Sequence, residues 1–209
     1  MNTPERYKFP TTPFPKEYSE WNSVPSREIK TAQISSEILG TVIDRIDEMY
    51  GDTEPQFRNV YVVAYPDGSS TYVLEYSNED NEADTAYFVD AINHKAAGMT
   101  NVVLSNIQDY RNDDPDTFVP HVGSSDTFDT FEMEGKIVNL QGSGLGERRY
   151  RLMNSYCLAR YRIQLYSGWA NDLAGKLWNK LIAAGVAELN PDYVEGQDNG
   201  RFRFKHDAV

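Results

Sequence analysis

Residues 159–182 read ARYRIQLYSGWANDLAGKLWNKLI, and the spacing of the apolar side chains changes partway along this stretch. In the first part, Tyr161, Ile163 and Leu165 alternate with polar residues, which is the period of a strand. In the second part the apolar side chains recur every three or four residues, which is the period of a helix. They are Trp169, Leu173, Leu177, Trp178, Leu181 and Ile182. The way the chain passes from one period to the other decides the fold of its C-terminal third.

Two structures fit this change of period. A single helix over residues 155–186 would carry one apolar stripe along its length. It would also have to contain Gly168 and Gly175, and each glycine costs about 1 kcal/mol relative to alanine in a helix. A strand over 159–166 followed by a helix over 169–186 instead puts Gly168 in a turn, where chain-breaking residues belong. We favour the strand followed by the helix.

A second amphipathic helix is predicted over residues 34–50. Its apolar side chains follow the helical period, its charged side chains lie on the other face, and Gly51 follows where glycine commonly ends a helix. The apolar residues are Ile34, Ile38, Leu39, Val42, Ile43, Ile46, Met49 and Tyr50. Ahead of this helix, Ser26 is placed to cap another helix that opens at Arg27.

Most of the remaining chain reads as strands. Residues 58–77 contain two β-branched and aromatic runs separated by Pro-Asp-Gly-Ser, which predicts a hairpin. Residues 78–85 read as a polar connection, and residues 86–99 read either as a short helix ending at Gly98 or as a strand. Further strands are predicted over the ranges 101–110, 131–140 and 201–206.

The predicted fold class is α+β, with one domain over residues 26–209 and an extended N-terminal arm over residues 1–25. In the domain, a mainly antiparallel sheet is flanked by two amphipathic helices. The arm contains five prolines, which exclude a helix or a central strand. Its five aromatic residues indicate that it lies on another surface, either of the same chain or of a neighbour. These candidate contact residues are Tyr7, Phe9, Phe14, Tyr18 and Trp21.

Further candidates for partner contact lie in the domain. Residues 111–130 form the longest predicted irregular stretch, and a connection of this length is usually a functional or contact loop. Its acidic group, Asp113, Asp114 and Asp116, is a candidate contact site. Trp169 and Trp178 are nine residues apart and therefore point to different sides of a helix. One is predicted to lie in the core, and Trp169 is the candidate contact anchor.

The net charge of −12 is spread unevenly along the chain. Residues 44–134 contain 20 Asp and Glu against four Lys and Arg, whereas residues 135–209 contain seven acidic and eleven basic residues. General nucleic-acid binding is not expected, because phosphate contacts need cations clustered on one face. The acidic middle is either a solubilising surface or one half of a head-to-tail contact between unlike surfaces of neighbouring copies.

The length of 209 residues is enough for a substantial core, and 40% hydrophobic residues argue against disorder. No run of eighteen apolar residues is present, so no membrane span is expected. The polar start MNTPERYKFP does not resemble a secretory signal. Cys157 is the single cysteine, which excludes an internal disulfide framework. An intracellular location is expected, in a host cytoplasm or a virion if the protein is viral.

No catalytic, cofactor-binding or metal-ligating residue is predicted. The GSGLG of residues 142–146 lacks the third glycine of a dinucleotide-binding fingerprint, since Glu147 stands there, and it reads as a hairpin loop. Asp80, Glu82 and Asp84 alternate as in a calcium loop, but the residue that should be glycine is threonine. His121, in the predicted loop, is the most site-like of three histidines that have no metal-ligand spacing.

The stretch YRIQLYSGWANDLAGKLWNKLI, residues 161–182, resembles the strand and helix of phage tail-terminator and related neck or tail-completion proteins. The resemblance covers about a quarter of the chain, toward its C-terminal end, and the arm and residues 78–130 depart from that pattern. It implies an α+β virion subunit that forms rings and has no catalytic activity.

The leading hypothesis is a non-enzymatic assembly or interaction protein, a structural subunit of a multimeric phage-type particle. Protein partners, including further copies of the chain, are expected, with no cofactor. The second hypothesis is an acidic inhibitor that mimics nucleic acid through residues 44–134 and binds a host nuclease or defence complex. The third is a small enzyme with a site near His121.

Overall fold

A computed structural model gives the fold of the chain. It describes residues 5–6, 26–28, 30, 33–51, 55, 57–78, 81–106, 118–127, 131–133, 135–196 and 200–206. The chain divides into two compact units that interleave along the sequence. Described residues within 5–6, 26–100 and 126–149 belong to unit 1, and those within 101–125 and 150–206 belong to unit 2.

The described residues combine helices with mainly antiparallel strands, which confirms the predicted α+β class. The helices are α1 (Ser36–Tyr50), α2 (Leu145–Tyr161) and α3 (Asp172–Ala183). The strands are β1 (Glu5–Arg6), β2 (Ser26–Glu28), β3 (Phe57–Ala64), β4 (Ser70–Asn78), β5 (Asn81–Ile92), β6 (Lys95–Asn106), β7 (Phe118–Thr127), β8 (Phe131–Met133), β9 (Lys136–Asn139), β10 (Ala187–Leu189) and β11 (Phe202–Phe204). Strands β2 to β7 pair in chain order in one sheet, β1, β9 and β8 form a second, and β10 pairs with β11.

Helix α1 confirms the predicted helix over residues 34–50. It begins after Ser35, whose Oγ accepts a hydrogen bond from the Ile38 N–H at 3.3 Å, and it ends at Gly51, which has φ 80°. The predicted helix after Ser26 is wrong, because residues 26–28 form β2 and pair antiparallel with β3. Residues 26–28 form hydrogen bonds with the edge of β3, and the local sequence around Ser26 does not indicate this distant partner.

The apolar face of α1 packs in the core of unit 1. Ile38, Val42 and Ile46 are fully buried on one stripe of the helix. They belong to one cluster with strand residues that include Val60, Leu74, Tyr87 and Val89. The amphipathic period of α1 therefore reflects real burial.

The predicted hairpin over residues 58–77 is confirmed by the pairing of β3 with β4, with Gly68 at φ 82° in the turn. The polar connection predicted over 78–85 is wrong. Strand β5 begins at Asn81, and Asn78 is already paired with Asn81 in the β4–β5 ladder. Backbone pairing continues here through side chains that are poor strand formers.

The short helix considered for residues 86–99 is wrong, and the alternative of a strand is correct. Asn93 and His94 form a turn between β5 and β6 with φ values of 51° and 65°. Two positive φ values are typical of the two-residue hairpin turn that favours asparagine. Residues 86–92 are buried on both faces of the sheet, so apolar residues occupy successive positions, apart from Asp90, and the strand alternation is absent.

Two further predictions of chain path need correction. Residues 118–127 form β7, although they fall within the predicted loop over 111–130. The remainder of that loop lies outside the described residues. The single strand predicted over 131–140 is instead the hairpin of β8 and β9, which turns at Gly135 with φ 76°. A glycine with positive φ breaks the strand that the alternating pattern suggested.

The change of period in the C-terminal third has an outcome that neither prediction anticipated. Helix α2 continues to Tyr161, so the first part of the predicted strand over 159–166 is wrong. The single helix over 155–186 is also wrong, because residues 162–171 are not helical and Arg162 has φ 61°. The predicted helix after the turn is confirmed as α3.

Residues 165–167 are extended and join two strands of unit 2. On one side, the Tyr166 N–H donates to the Pro120 carbonyl oxygen of β7 at 2.9 Å. On the other side, the Ser167 N–H donates to the Phe202 carbonyl oxygen of β11 at 2.8 Å. The strand expected from the alternating pattern is therefore reduced to this three-residue segment, which is held by tertiary pairing.

A buried ion pair within unit 1 joins Arg149, in the first part of α2, to strand β5. The Arg149 Nη1 lies 2.6 Å from the Asp90 Oδ2, and both side chains are fully buried. The Arg149 Nε donates to the Thr100 Oγ1 at 2.7 Å, and the Thr71 Oγ1 donates to the Asp90 Oδ1 at 2.7 Å. Each charged group thus has a second polar partner, which offsets part of its desolvation.

Replacing Arg149 with methionine should destabilise the protein strongly, because Asp90 would remain buried without its cation. We expect a loss of about 3–5 kcal/mol in the free energy of unfolding, measured by urea denaturation. The matched control is Arg148→Met, which removes the partly exposed ion pair with Asp67 at 3.0 Å and should cost less. A loss for Arg149→Met no larger than for the control would contradict this role.

Candidate partner-binding surface

Helix α3 packs on the small sheet of unit 2 through Trp178. This side chain is 1% exposed and stacks on Phe202 with a centroid distance of 5.9 Å and an interplanar angle of 11°. Phe204 and Tyr150 contact it edge-on at 5.4 and 5.6 Å. Aromatic pairs at these distances contribute stability beyond their buried area. Trp178 is therefore the tryptophan that lies in the core.

The N-terminus of α3 is fixed by its capping residue. The Asn171 Oδ1 accepts hydrogen bonds from the backbone N–H groups of Leu173 and Ala174 at 3.1 and 3.0 Å. These bonds satisfy donors that have no partner within the helix. The cap sets the position at which the chain turns from the extended segment into the helix.

Gly168 is required by a close backbone approach between residues 165–167 and β7. A Cβ atom at this position would lie 1.8 Å from the Val122 carbonyl oxygen. No side chain fits at that distance, so position 168 must be glycine where the backbone passes β7. The path of the backbone into Trp169 is fixed by this contact.

Trp169 lies on the surface of unit 2 and is 71% exposed. It is the predicted contact residue that falls within the described part of the chain, and its role in binding remains a prediction. The other predicted contact residues lie outside that part. They are Tyr7, Phe9, Phe14, Tyr18, Trp21, Asp113, Asp114 and Asp116.

Three further large apolar side chains of unit 2 are exposed. Leu173 in α3 is 59% exposed, Leu189 at the end of β10 is 61% exposed, and Val194 is 59% exposed. Together with Trp169 they are named the apolar end. In the described residues, the other large hydrophobic side chain with comparable exposure is Ile137 of unit 1, at 61%.

Strand pairing places the members of the apolar end at one end of the sheet in unit 2. Leu189 lies opposite Phe202 in the β10–β11 register, and Ser167 bonds to Phe202 from the other side. Trp169 follows Ser167 by two residues. Leu173 is in the first turn of α3, and this turn lies at the same end of the sheet.

Val194 reaches that end through the turn that follows β10. The Tyr193 N–H donates to the Asn190 carbonyl oxygen at 3.1 Å, and the Asn190 side chain donates to the Gly200 carbonyl oxygen at 2.8 Å. These bonds hold the turn beside the start of β11. The sequence signals for Leu189 and Val194 were weak, because both stand next to turns and outside any periodic run.

One face of the sheet in unit 2 carries a row of polar side chains. His121, Tyr166, Arg203 and Glu188 lie in register across four neighbouring segments, and residues in register share a face. The Arg203 Nε donates to the Glu188 Oε1 at 2.9 Å. This row is charge-compensated within the chain, which leaves the apolar end as the better candidate for binding a partner.

His121 lies in β7 and is 7% exposed, which corrects its predicted position in a loop. Burial lowers the pKa of its imidazole below the ordinary value of 6.5, and a hydrogen bond with the Val119 carbonyl oxygen opposes this shift. Cys157 is also buried, and burial raises the pKa of its thiol well above the ordinary value. A buried thiol with a raised pKa is a poor nucleophile.

The glycine-rich GSGLG segment leads into α2 and is not the predicted hairpin loop. Gly142 and Gly144 have φ values of 72° and 99°, and the Leu145 N–H donates to the Ser143 Oγ at 3.4 Å. In the described ranges, no group of three or more His, Cys, Asp or Glu side chains is placed to hold a metal ion. None of the helices in this part of the chain has the length and apolar character needed to cross a membrane.

Comparison with known proteins found no matching family model, no matching curated protein and no matching solved structure.

Gly168→Ala should destabilise unit 2, because the added Cβ would overlap the Val122 carbonyl oxygen. Overpacking of this kind typically costs about 1–3 kcal/mol, which chemical denaturation would measure. Gly175→Ala is the matched control, since a Cβ there meets no atom within 4 Å. The control should stabilise α3 by up to about 1 kcal/mol. Equal effects of the two changes would contradict the close approach.

Stability should also decrease as the pH falls below 6.5, in part because of His121. The unfolded chain protonates this histidine near pH 6.5, whereas the folded chain does so only at a lower pH. Protonation therefore favours the unfolded state, with a slope of at most about 1.4 kcal/mol per pH unit from this one group. Denaturation of His121→Gln across the same pH range should show a weaker pH dependence. An identical pH dependence in the two proteins would contradict this assignment.

Proposed function

We propose that the chain is a non-enzymatic assembly protein, a structural subunit of a multimeric particle of the phage type. The observation that carries this proposal is the apolar end of unit 2. Four large apolar side chains stay exposed there, although the same unit buries Trp178 and Phe204 almost completely. Exposed apolar residues gathered at one place are typical of a surface that another protein covers.

The energy available at this surface supports a binding role. Burying an exposed large apolar side chain gains about 1.5–3 kcal/mol. Tryptophan is also enriched among the few residues that contribute most to protein interfaces. Trp169 and its neighbours are therefore sufficient to form the centre of an interface, provided that the partner excludes water around them.

The N-terminal arm pairs with another strand of its own chain at the residues that the structure describes. Its described residues, Glu5 and Arg6, pair parallel with Val138 and Asn139 of β9, so an extended segment of the arm adds to a sheet edge. The resemblance of residues 161–182 to tail-terminator and tail-completion proteins supports an assembly role through the helix that is α3, since the strand of that resemblance is reduced to residues 165–167.

Light scattering of the purified protein at micromolar concentration tests this proposal. The wild-type chain should have the mass of a multimer, and Trp169→Ser with Leu189→Ser should shift the mass toward that of one chain. Ile137→Ser is the matched control, since Ile137 and Leu189 are equally exposed at 61%. It should leave the mass unchanged. A wild-type chain that is monomeric would overturn the proposal, and so would an equal loss in the control.

A further inference from the structure

We infer that strand β10 of one copy pairs with β10 of a second copy, so that the small sheet of unit 2 continues from one chain into the next. This inference rests on the proposed assembly function and specifies the surface and its partner. The two strands run antiparallel about a two-fold axis, and a contact of this kind joins copies in pairs.

Strand β10 uses the backbone groups of every second residue to pair with β11. The Asn190 N–H donates to the Arg201 carbonyl oxygen, and the Lys205 N–H donates to the Val186 carbonyl oxygen, both at 3.0 Å. In an antiparallel ladder, residues that bond to the neighbouring strand alternate with residues whose backbone groups point the other way. The backbone groups of Val186, Glu188 and Asn190 therefore face β11.

The backbone groups of Ala187 and Leu189 point away from β11. Each residue contributes one N–H and one carbonyl oxygen to this edge. In the part of the chain that the structure describes, no strand or bridge lies against that side of β10. Strand β10 also contains neither lysine nor proline, which commonly protect an edge strand, and Leu189 is 61% exposed. An edge of this kind is a template for a strand from another chain.

The backbone of β10 is self-complementary in one register. When Glu188 lies on the two-fold axis, Ala187 of each copy pairs with Leu189 of the other, and every outward N–H and carbonyl group finds a partner. A register shifted toward the C-terminus needs Pro191, which has no N–H and lies in the turn after β10. A register shifted toward the N-terminus needs Gly185, which has φ 78° and lies in the connection from α3.

The apolar side chains of β10 favour the same register. Ala187 lies opposite Phe204, and Trp178 of α3 contacts Phe204, so Ala187 and Leu189 lie on the face of the sheet on which α3 packs. The small side chain of Ala187 in one copy then stands beside the large, exposed side chain of Leu189 in the other. Because Leu189 belongs to the apolar end, the pairing also covers part of that surface.

The other face of β10 places the two Glu188 side chains opposite each other. Like charges in this arrangement are unfavourable unless they are compensated. The Glu188 Oε1 accepts a hydrogen bond from the Arg203 Nε at 2.9 Å and lies 2.9 Å from the Nη2 of the same guanidinium, whereas the Asp192 Oδ2 is more distant at 3.8 Å. Each Glu188 therefore brings its own cation, and the contact depends on backbone pairing and not on a free charge.

Amide hydrogen exchange of the wild-type chain, read residue by residue by nuclear magnetic resonance, provides the first test. The Ala187 and Leu189 N–H groups should exchange at least about tenfold more slowly in the associated protein than in dilute protein, because pairing between copies shields them. The Glu188 N–H is the internal control. It faces β11 within the chain, so its exchange should be slow at both protein concentrations.

A proline substitution provides the second test. Leu189→Pro removes an outward N–H and leaves the hydrogen bonds between β10 and β11 in place, so light scattering and sedimentation should show association at least about tenfold weaker than in the wild-type chain. Leu189→Val is the matched control, since valine is apolar, similar in size to proline, and keeps the N–H. It should associate nearly as strongly as the wild-type chain, and thermal unfolding should show that both variants are folded.

The possible outcomes are distinct. Slower exchange at Ala187 and Leu189 on association, together with weaker association of Leu189→Pro than of Leu189→Val, supports the inference. A multimeric wild-type chain in which association does not change the exchange of these two amides overturns the inference but leaves the assembly function standing. Equal association of the proline and valine variants has the same meaning. If Leu189→Pro does not fold, the exchange measurement on the wild-type chain decides alone. A monomeric wild-type chain overturns the assembly function itself.

Discussion

Backbone hydrogen bonds on both sides of residues 165–167 hold the candidate surface of unit 2 in place. The segment bonds to β7 on one side and to β11 on the other, and Gly168 then passes the Val122 carbonyl oxygen too closely for any side chain. This constraint directs Trp169 to the surface, while Trp178 packs in the core. The exposure of Trp169 thus follows a constraint on the backbone, whereas the burial of Trp178 follows from its contacts with Phe202, Phe204 and Tyr150.

Two different interactions join helices to strands, an ion pair at Arg149 of α2 and aromatic packing at Trp178 of α3. In unit 1, the ion pair of Arg149 and Asp90 is buried with hydroxyl partners. In unit 2, the aromatic contacts of Trp178 with Phe202 and Phe204 hold α3. An ion pair in the core is sensitive to the loss of one partner, whereas aromatic packing depends mainly on shape and area.

The candidate site could be predicted only in part. The prediction of Trp169 as a contact residue assumes that it shares a helix with Trp178, but α3 begins at Asp172, so Trp169 is exposed on the segment before the helix. Leu189 and Val194 were missed, because each stands beside a turn where no period is defined. They join Trp169 only through the pairing of β10 with β11. His121 was placed in a loop, since β7 contains proline, glycine and polar residues that are unusual in strands.

The elements that can be assigned from the residues alone are α1, α3 and the hairpin of β3 and β4. In α1 and α3 one face is buried and the other is solvated, so the spacing of the apolar residues reflects burial. The hairpin is indicated by its turn residues, since residues 71–76 of β4 are buried on both faces. The paths of β5, β7 and residues 165–167 are evident in the fold alone. Strand β5 is buried on both faces over residues 86–92, and the other two segments depend on backbone partners distant in the chain. Backbone hydrogen bonds do not require a particular spacing of side chains, so these segments can be assigned only from the fold.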